Sequence, residues 1–446
     1  TTEVYTLSLH DALPISLYEG WGKLKKVGGS WKDVYAFYGY EPPLEPYASA
    51  TTGYGHANFL SDEDMIYRRQ PLVLRSSRLV GTFRLDELRP GFSVDETKFE
   101  RLAWQDVNGV THEIDVPITA ASLARLSDRM QKEAPLRIVD DNSDGTPDDS
   151  YHVIRHYQDS FVPAITLSLA VKYFHKTLDD LEVVIGSHIL IPSPMVTDPE
   201  SGELVPYTIQ IEPDTFDKDG NLIAEGSRKV MPEIRIPVNE HGQMLVNFMG
   251  YRSSPTSDGV QTFPVRSYSA YANRDPGPDP ARWRKTLSVK DKILMVGAFA
   301  AGVAEDEKPT PLGIMFGIEM HANALNTILM DNFIIQAPAW VDIVVLTALV
   351  MGMAFLSSRL PAIAGFFITL AVAAGYFFVV NGIFDSKAYL VNYSTPALAV
   401  VLTFILVVVY RVFTEERDKR QIRETFGKYL SPKVVEELAT NPPELG

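Results

Sequence analysis

The sequence predicts an α/β domain outside the cytoplasm, then three transmembrane helices and a cytoplasmic helix. Two observations carry this. Three apolar runs of membrane length sit close together near the C-terminal end. The formal charge of −15 falls entirely on the residues before them, with 32 basic against 47 acidic side chains over 1–337.

The apolar runs are Pro338–Leu356, Pro361–Val380 and Ser394–Phe413. At ~1.5 Å rise per residue, each reaches across the roughly 30 Å of bilayer hydrocarbon. Short polar turns separate them, Ser357-Ser358-Arg359 and then Asn381 to Tyr393 with Asp385 and Lys387. Asp342, near the start of the first run, is placed to reach the headgroup region. Lys and Arg near span ends set orientation. Arg359, Arg411 at the end of the third run and five residues after it (Arg417, Lys419, Arg420, Arg423 and Lys428) stand against Lys387 alone. The first turn and the C-terminal tail are therefore expected inside, and residues 17–337 outside.

The acidic balance of the outer domain argues against a nucleic-acid partner, because phosphate binding needs a basic footprint. It tolerates cationic ligands better than anions, or serves only solubility. The chain has no cysteine. A domain of this length can stand on its hydrophobic core without disulfides. Thr1–Ser16 (TTEVYTLSLHDALPIS) looks like a translated sequencing adapter and is set aside from fold reasoning.

Within the domain, Leu123, Leu126 and Met130 have helical spacing, as do Ile165, Leu169 and Phe174, with Pro163 near the start. Val183–Ile191, Tyr207–Ile211, Glu233–Ile236, Met244–Phe248 and Lys292–Val296 read as strands. Asp217-Lys218-Asp219-Gly220-Asn221 is a turn signal. Ser288–Gly297 reads as a strand ending in glycine, followed by a loop and a helix, Gly317–Met330.

Candidate sites are few. Asp140, Asn142, Asp144 and Asp148 in DDNSDGTPD fit the start of a calcium loop, with alternating oxygen ligands and a glycine for the sharp turn. Position twelve is Tyr151, where an EF-hand has Glu, so a solvated acidic loop stays open beside calcium. His152 and His156, four apart, suit a metal pair if helical, but no third ligand is evident. The Gly297–Gly302 loop lacks the Lys and Ser/Thr of a phosphate loop.

The order of several segments carries a resemblance. Ile236-Pro237, Gly242, Val246-Asn247 and Gly250 come first, then Phe263-Pro264 and Ser267-Tyr268. Lys292, Val296-Gly297 and Ala300 follow, then Gly317, Glu319 and His321-Ala322-Asn323. Together with GYGHANFLSDEDMIYRRQPLV (53–73) and its paired Arg68 and Arg69, these resemble the CHASE type 2 extracytoplasmic sensory domains. The resemblance implies an α/β extracytoplasmic sensor domain between an N-terminal anchor and three further spans. It implies sensor-family positions at Arg68, Arg69, Gly297, Glu319 and His321, although Glu319 and His321 read equally well as packing. Met65 stands where the family has glycine, and residues 85–150 have no clear family counterpart.

After Phe413 the chain turns charged and helical. Ile422, Phe426, Tyr429 and Leu430 fall on one face, a stripe suited to pairing with a second copy, with Gly427 inside the pattern and Ser431-Pro432 opening the next helix. The run Phe426-Gly427-Lys428-Tyr429-Leu430-Ser431-Pro432, then Val434-Val435 and Leu438, resembles the lead-in to class III adenylate/guanylate cyclase domains. That resemblance implies a signalling helix, residues 414–446, in a dimer whose cyclase domain begins further on. The domain would use two Mg²⁺ or Mn²⁺ ions, and no cofactor is expected on the present residues. A sensor on a histidine or serine/threonine kinase, or a membrane-anchored binding protein, are the alternatives. The expected partners are the membrane, a second copy, and a small-molecule or ionic stimulus.

Overall fold

A computed structural model describes residues 23–37, 53–139, 148–217, 222–254, 259–268, 292–299 and 306–426. The chain divides into two compact units, Thr1–Phe333 and Ile334–Gly446.

In the first unit, β1 (Val27–Gly29) and β2 (Ala36–Phe37) flank a 3₁₀ turn. β3 (Arg69–Pro71) runs almost directly into the 12-residue β4 (Val73–Arg84). β5 (Glu100–Gln105) and β6 (Thr111–Ile114) form a hairpin, and α1 (Ala120–Glu133), β7 (Leu136–Val139) and the 15-residue β8 (Asp149–Pro163) follow. β4 and β8 pair antiparallel from Val73 opposite Pro163 out to Arg84 opposite Val153. A bulge between Leu79 and Gly81 leaves Val80 outside the ladder and inverts the alternation of β4 beyond it. The sheet runs β2-β4-β8-β5-β6, with β7 also on β8.

Residues 85–139 are thus mounted on the far end of two long strands. They bring a separate core, in which Leu88, Ile118 and Met130 pack on Leu102, Trp104 and Ile154 of the sheet. α1 lays its Leu123, Leu126 and Met130 stripe on this core, as its spacing predicts. Thr119 opens the helix by accepting from the Ser122 amide. Nearer the main body, Arg75, Arg101 and Asp159 are buried together, the Asp159 Oδ2 accepting from Arg75 at 3.2 Å and Arg101 at 2.9 Å.

α2 (Ile165–Tyr173) follows β8 directly. A second sheet, β1-β9-β10-β11, is built from β9 (Glu182–Ile185), β10 (His188–Pro192) and β11 (Glu233–Pro237). Val183, Ile185, Ile189, Ile191, Ile234 and Ile236 alternate onto one face and are covered by apolar residues of α2 and, later in the chain, α3 (Gly317–Leu329). Between β10 and β11 the chain leaves as three short ribbons, 195–206, 208–230 and 215–224. β12 (Gln243–Leu245) pairs with β3, and β13 (Glu307–Thr310) forms a hairpin with β14 (Gly313–Phe316) ahead of α3.

Two expectations change. Val183–Ile191 is a hairpin, broken by Gly186 at φ +83° and Ser187, where only a glycine turns so tightly at no steric cost. Lys292–Val296 is not a strand: its apolar side chains Ile293, Leu294 and Val296 are exposed, and no described strand lies beside it to complete a ladder. The segments around Asn239–Gly242 turn tightly, yet β11 and β12 part into different pairings, with β10 and β3. The predicted turn at Lys218–Asn221 lies outside the described residues, with Thr215–Phe216 and Leu222–Ala224 pairing on either side.

The second unit holds α4 (Ala339–Arg359), α5 (Ala362–Lys387) and α6 (Ser394–Phe426). All three are long and apolar enough to cross a membrane. Large apolar side chains such as Ile363, Phe378 and Leu406 face outward, as lipid contact requires. Helix lengths exceed the apolar runs: α5 continues to Lys387, and α6 continues 13 residues past Phe413 without a break.

Candidate functional site

The candidate site gathers around α3, whose sequence GIEMHANALNTIL places polar residues on two of its ridges. Glu319, Asn323 and Thr327 recur every four residues and so stack on one face. Each holds an amide of the neighbouring 247–253 segment. Thr327 Oγ1 accepts from Asn247 at 3.1 Å, Asn323 Oδ1 from Met249 at 2.9 Å, and Glu319 Oε1 from Ser253 at 2.7 Å. The Ser253 hydroxyl also donates to Glu319 Oε1, at 2.7 Å, and accepts from the Phe263 amide at 2.9 Å. A helix ridge here does the work of a missing neighbour strand, satisfying backbone donors that burial would otherwise strand. The Glu319 Oε2 is buried with no partner among the described residues.

His321 leaves α3 on a different side and enters a buried polar chain. Its Nδ1 lies 3.2 Å from the Gln70 side-chain amide nitrogen, and Gln70 Oε1 accepts from Thr166 Oγ1 at 2.8 Å. The Gln70 amide nitrogen can only donate, so Nδ1 accepts and the ring proton sits on Nε2. Burial pushes the His321 pKa down to about 4, against a small upward pull from Ala57.

His56 lies close by. Its Nδ1 accepts from the Asn58 amide at 3.3 Å, which leaves the proton on Nε2, buried and without a partner among the described residues. Burial, then the neighbouring His321, lower its pKa to about 3. Its position depends on Gly55: a Cβ there would meet Ala164 and Ile165 backbone atoms at 2.4 to 2.6 Å. Only glycine lets this strand lie against the start of α2.

A cavity of about 240 Å³ opens beside this chain, lined by Ala57, Phe59, His321, Met320, Lys308 and Asp306 among others. It is smaller than most ligand pockets, which run from about 300 Å³. Among the described residues its wall offers the Lys308 ammonium, the Asp306 carboxylate, a neutral imidazole and apolar surface. Gly297 lies on the same wall, where a Cβ would come 3.0 Å from Ile318.

The sensor-family positions therefore separate by role. Gly297 and His321 share the cavity, and Glu319 anchors the 247–253 segment from the adjoining face. Arg68 and Arg69 turn away into the acidic turn before β3. Arg68 grips both Asp64 oxygens at 2.8 and 2.7 Å and reaches Asp62 at 3.0 Å, while Arg69 meets the other Asp62 oxygen at 2.6 Å. Hydrogen bonding to Arg68 draws the Asp64 pKa down to about 2. Met65 takes the left-handed conformation, φ +62°, so the turn keeps the geometry a glycine would have without having the glycine.

His152 and His156 lie on β8 and not on a helix. At ~3.3 Å per residue they are roughly 13 Å apart, too far to share an ion. His156 pairs with Glu100 at 3.3 Å instead. Asp140, Asn142 and Asp144 lie outside the described residues, while the Asp148 amide donates to Val139 at 2.8 Å. Among the described residues no three His, Asp or Glu side chains are placed to hold a metal. The side chains of Ile422 and Phe426, and all of Gly427, Tyr429, Leu430 and Pro432, also fall outside.

Gln70, Thr166 and His56 were not singled out by sequence, and no spacing links them. Asn323 and Thr327 carried a usable signal, their recurrence at four-residue steps from Glu319.

A mixed α/β domain ahead of three membrane-length helices is the layout of a membrane-mounted sensor. A family model described as the CHASE2 domain matches residues 10–358. The chain belongs to the CHASE2 family, the extracellular sensor domains of signalling proteins. No curated protein and no solved structure matches it.

Proposed function

We propose that this chain is the sensing and transmitting part of a membrane-bound class III adenylate/guanylate cyclase. It would work as a homodimer in the plasma (inner) membrane, with the α/β domain outside and the residues after Phe413 in the cytoplasm. The observation that carries the reading is the continuity of α6. One helix of 33 residues leaves the membrane and runs to Phe426, the first residue of FGKYLSP. A continuous helix passes rotation or tilt from a span to whatever follows, which a flexible linker would absorb.

In this reading the stimulus acts at the α3 face, on the cavity beside His321, and shifts the balance between two arrangements of the spans. An ionic stimulus would instead be calcium at Asp140, Asn142, Asp144 and Asp148. Calorimetry of the chain with Ca²⁺ tests that branch, and no heat above background removes it. The cyclase domain would begin beyond Gly446 and use Mg²⁺ or Mn²⁺ to hold the attacking 3′-oxygen and the triphosphate.

Extending the read of the locus by about 30 codons decides the output, since the cyclase lead-in resembled here ends at Leu438. A strand of F-x-D-I type supports the cyclase. A stop codon, a phosphoacceptor-histidine helix or a kinase glycine loop sinks it. Reporter fusions after Arg359 and Phe413 test the orientation, both being expected to report cytoplasm.

A further inference from the structure

The three spans are fastened to one another at both ends. At one end, the chain entering α4 pairs with the chain between α5 and α6. Ile335 donates to the Ala388 carbonyl and Ala337 to Leu390, both at 2.9 Å. Tyr376 of α5 donates to the Asn392 carbonyl at 2.6 Å and stacks on Tyr393, with Ala337, Val380 and Val391 buried between. This collar ties the start of α6 to both other helices through backbone bonds.

The opposite end is held differently. α4 ends at Arg359, and its last carbonyls have no helical partner. Arg411, from α6, places its Nη1 2.6 Å from the Leu360 carbonyl and 3.5 Å from that of Ser357. A guanidinium suits this position twice over, because its several donors meet orphaned acceptors and its charge faces the negative end of a helix. Where water is scarce, unmet carbonyls are costly, so the contact is strongly favoured. Between the two ends α5 and α6 touch closely: a Cβ on Gly365 would come 2.9 Å from the Phe404 ring.

We propose that Arg411 is a clasp that makes α6 move together with α4. With both ends fastened, α6 cannot slide along α4 by itself. A signal passes as a tilt or rotation of the three-helix unit, and the single side chain of Arg411 is its releasable end. The proposal rests on reading α6 as the transmitting helix, but it concerns geometry and needs no output domain.

The test uses the full chain in lipid nanodiscs, where the absence of cysteine allows spin labels without background. One pair of cysteines, Phe355→Cys with Val412→Cys, reports the clasped end; a second, Trp340→Cys with Leu398→Cys, reports the collar. All four positions are exposed. Dilution with unlabelled chain keeps the distances within one molecule. The clasp predicts one narrow distance for each pair. Arg411→Gln broadens the first about twofold and leaves the second unchanged, as expected for releasing one fastening of a two-state element. Arg417→Gln, an equal loss of charge one turn and a half further along an exposed stretch, changes neither. An unchanged first pair in Arg411→Gln, or the same broadening in Arg417→Gln, overturns the clasp. Either result leaves the cyclase reading untouched, and a stop codon after Gly446 leaves the clasp untouched.

Discussion

The side-chain amide of Gln70 donates to His321 Nδ1 at 3.2 Å across 251 positions of sequence. One bond thereby fixes the tautomer of a buried imidazole, seats α3 on β3, and connects through Thr166 to α2. The α3 face is wired to both neighbouring elements by neutral hydrogen bonds. A proton arriving at either histidine has no acceptor ready for it.

Acid should therefore weaken this domain. The ordinary histidine value is 6.5, and the folded protein holds His321 near 4 and His56 near 3. Below pH 6.5 the unfolded chain takes up protons that the folded one refuses, so stability is complete above that pH and falls through the window down to about 4 and 3. At pH 5 the loss is roughly 2 kcal/mol for each histidine. Urea unfolding at pH 7 and pH 5 measures it, and His321→Gln should remove about half the difference. A flat profile in the parent protein would contradict the burial of both rings.

Glu319 is an anchor for the 247–253 segment. Glu319→Gln retains a carbonyl oxygen for Ser253 and should cost little. Glu319→Ala leaves the Ser253 amide and hydroxyl unmet in a buried site, at about 1 to 3 kcal/mol. Hydrogen exchange at Met249 and Ser253 should speed up in the Ala variant well before the rest of α3 loosens.

Asp159 sits between Arg75 and Arg101 with a fully buried carboxylate. Asp159→Asn strips the counter-charge from two guanidiniums that cannot reach bulk water, a change worth about 3 to 5 kcal/mol of stability. Thermal unfolding reads this directly. A shift no larger than that of a surface substitution would mean that the partly exposed Glu113, 3.2 Å from Arg75, carries the balance.

Met65 holds φ +62° without the freedom of glycine. Met65→Gly should stabilise the acidic turn by roughly 1 kcal/mol, the cost of a left-handed conformation for a residue with a Cβ. The gain should disappear in an Asp62→Ala background, where Arg68 and Arg69 no longer hold the turn.

What could be read in advance was local. The three spans announce themselves by composition over twenty residues, α1 by side chains three and four apart, and α2 by Ile165 and Leu169. The hairpin at Gly186 was hidden because β9 and β10 are both apolar runs, which read as one strand when joined. Lys292–Val296 had the composition of a strand but no neighbour to pair with, and pairing is a property of the fold. The candidate site was half legible. Glu319 and His321 sit in one short motif, whereas Gln70, Thr166 and His56 come from segments that meet only after β3, β8 and α2 are in place.

The far end of the β4 and β8 ladder has a further consequence. The described part of residues 85–150 packs its own core around Trp104, Met130 and Ile154, and it meets the main core through Phe99, against Trp31 and Phe161, and Arg101, buried with Asp159. Such a segment is a cassette. It can change its sequence around Trp104 and Met130 without the frame behind it having to repack, as long as Phe99 and Arg101 stay. Cuts near Arg84 and Val153, where the two strands stand opposite each other, mark where a graft from another sensor should join, with a strand kept to pair on Arg155–Gln158 as β5 does.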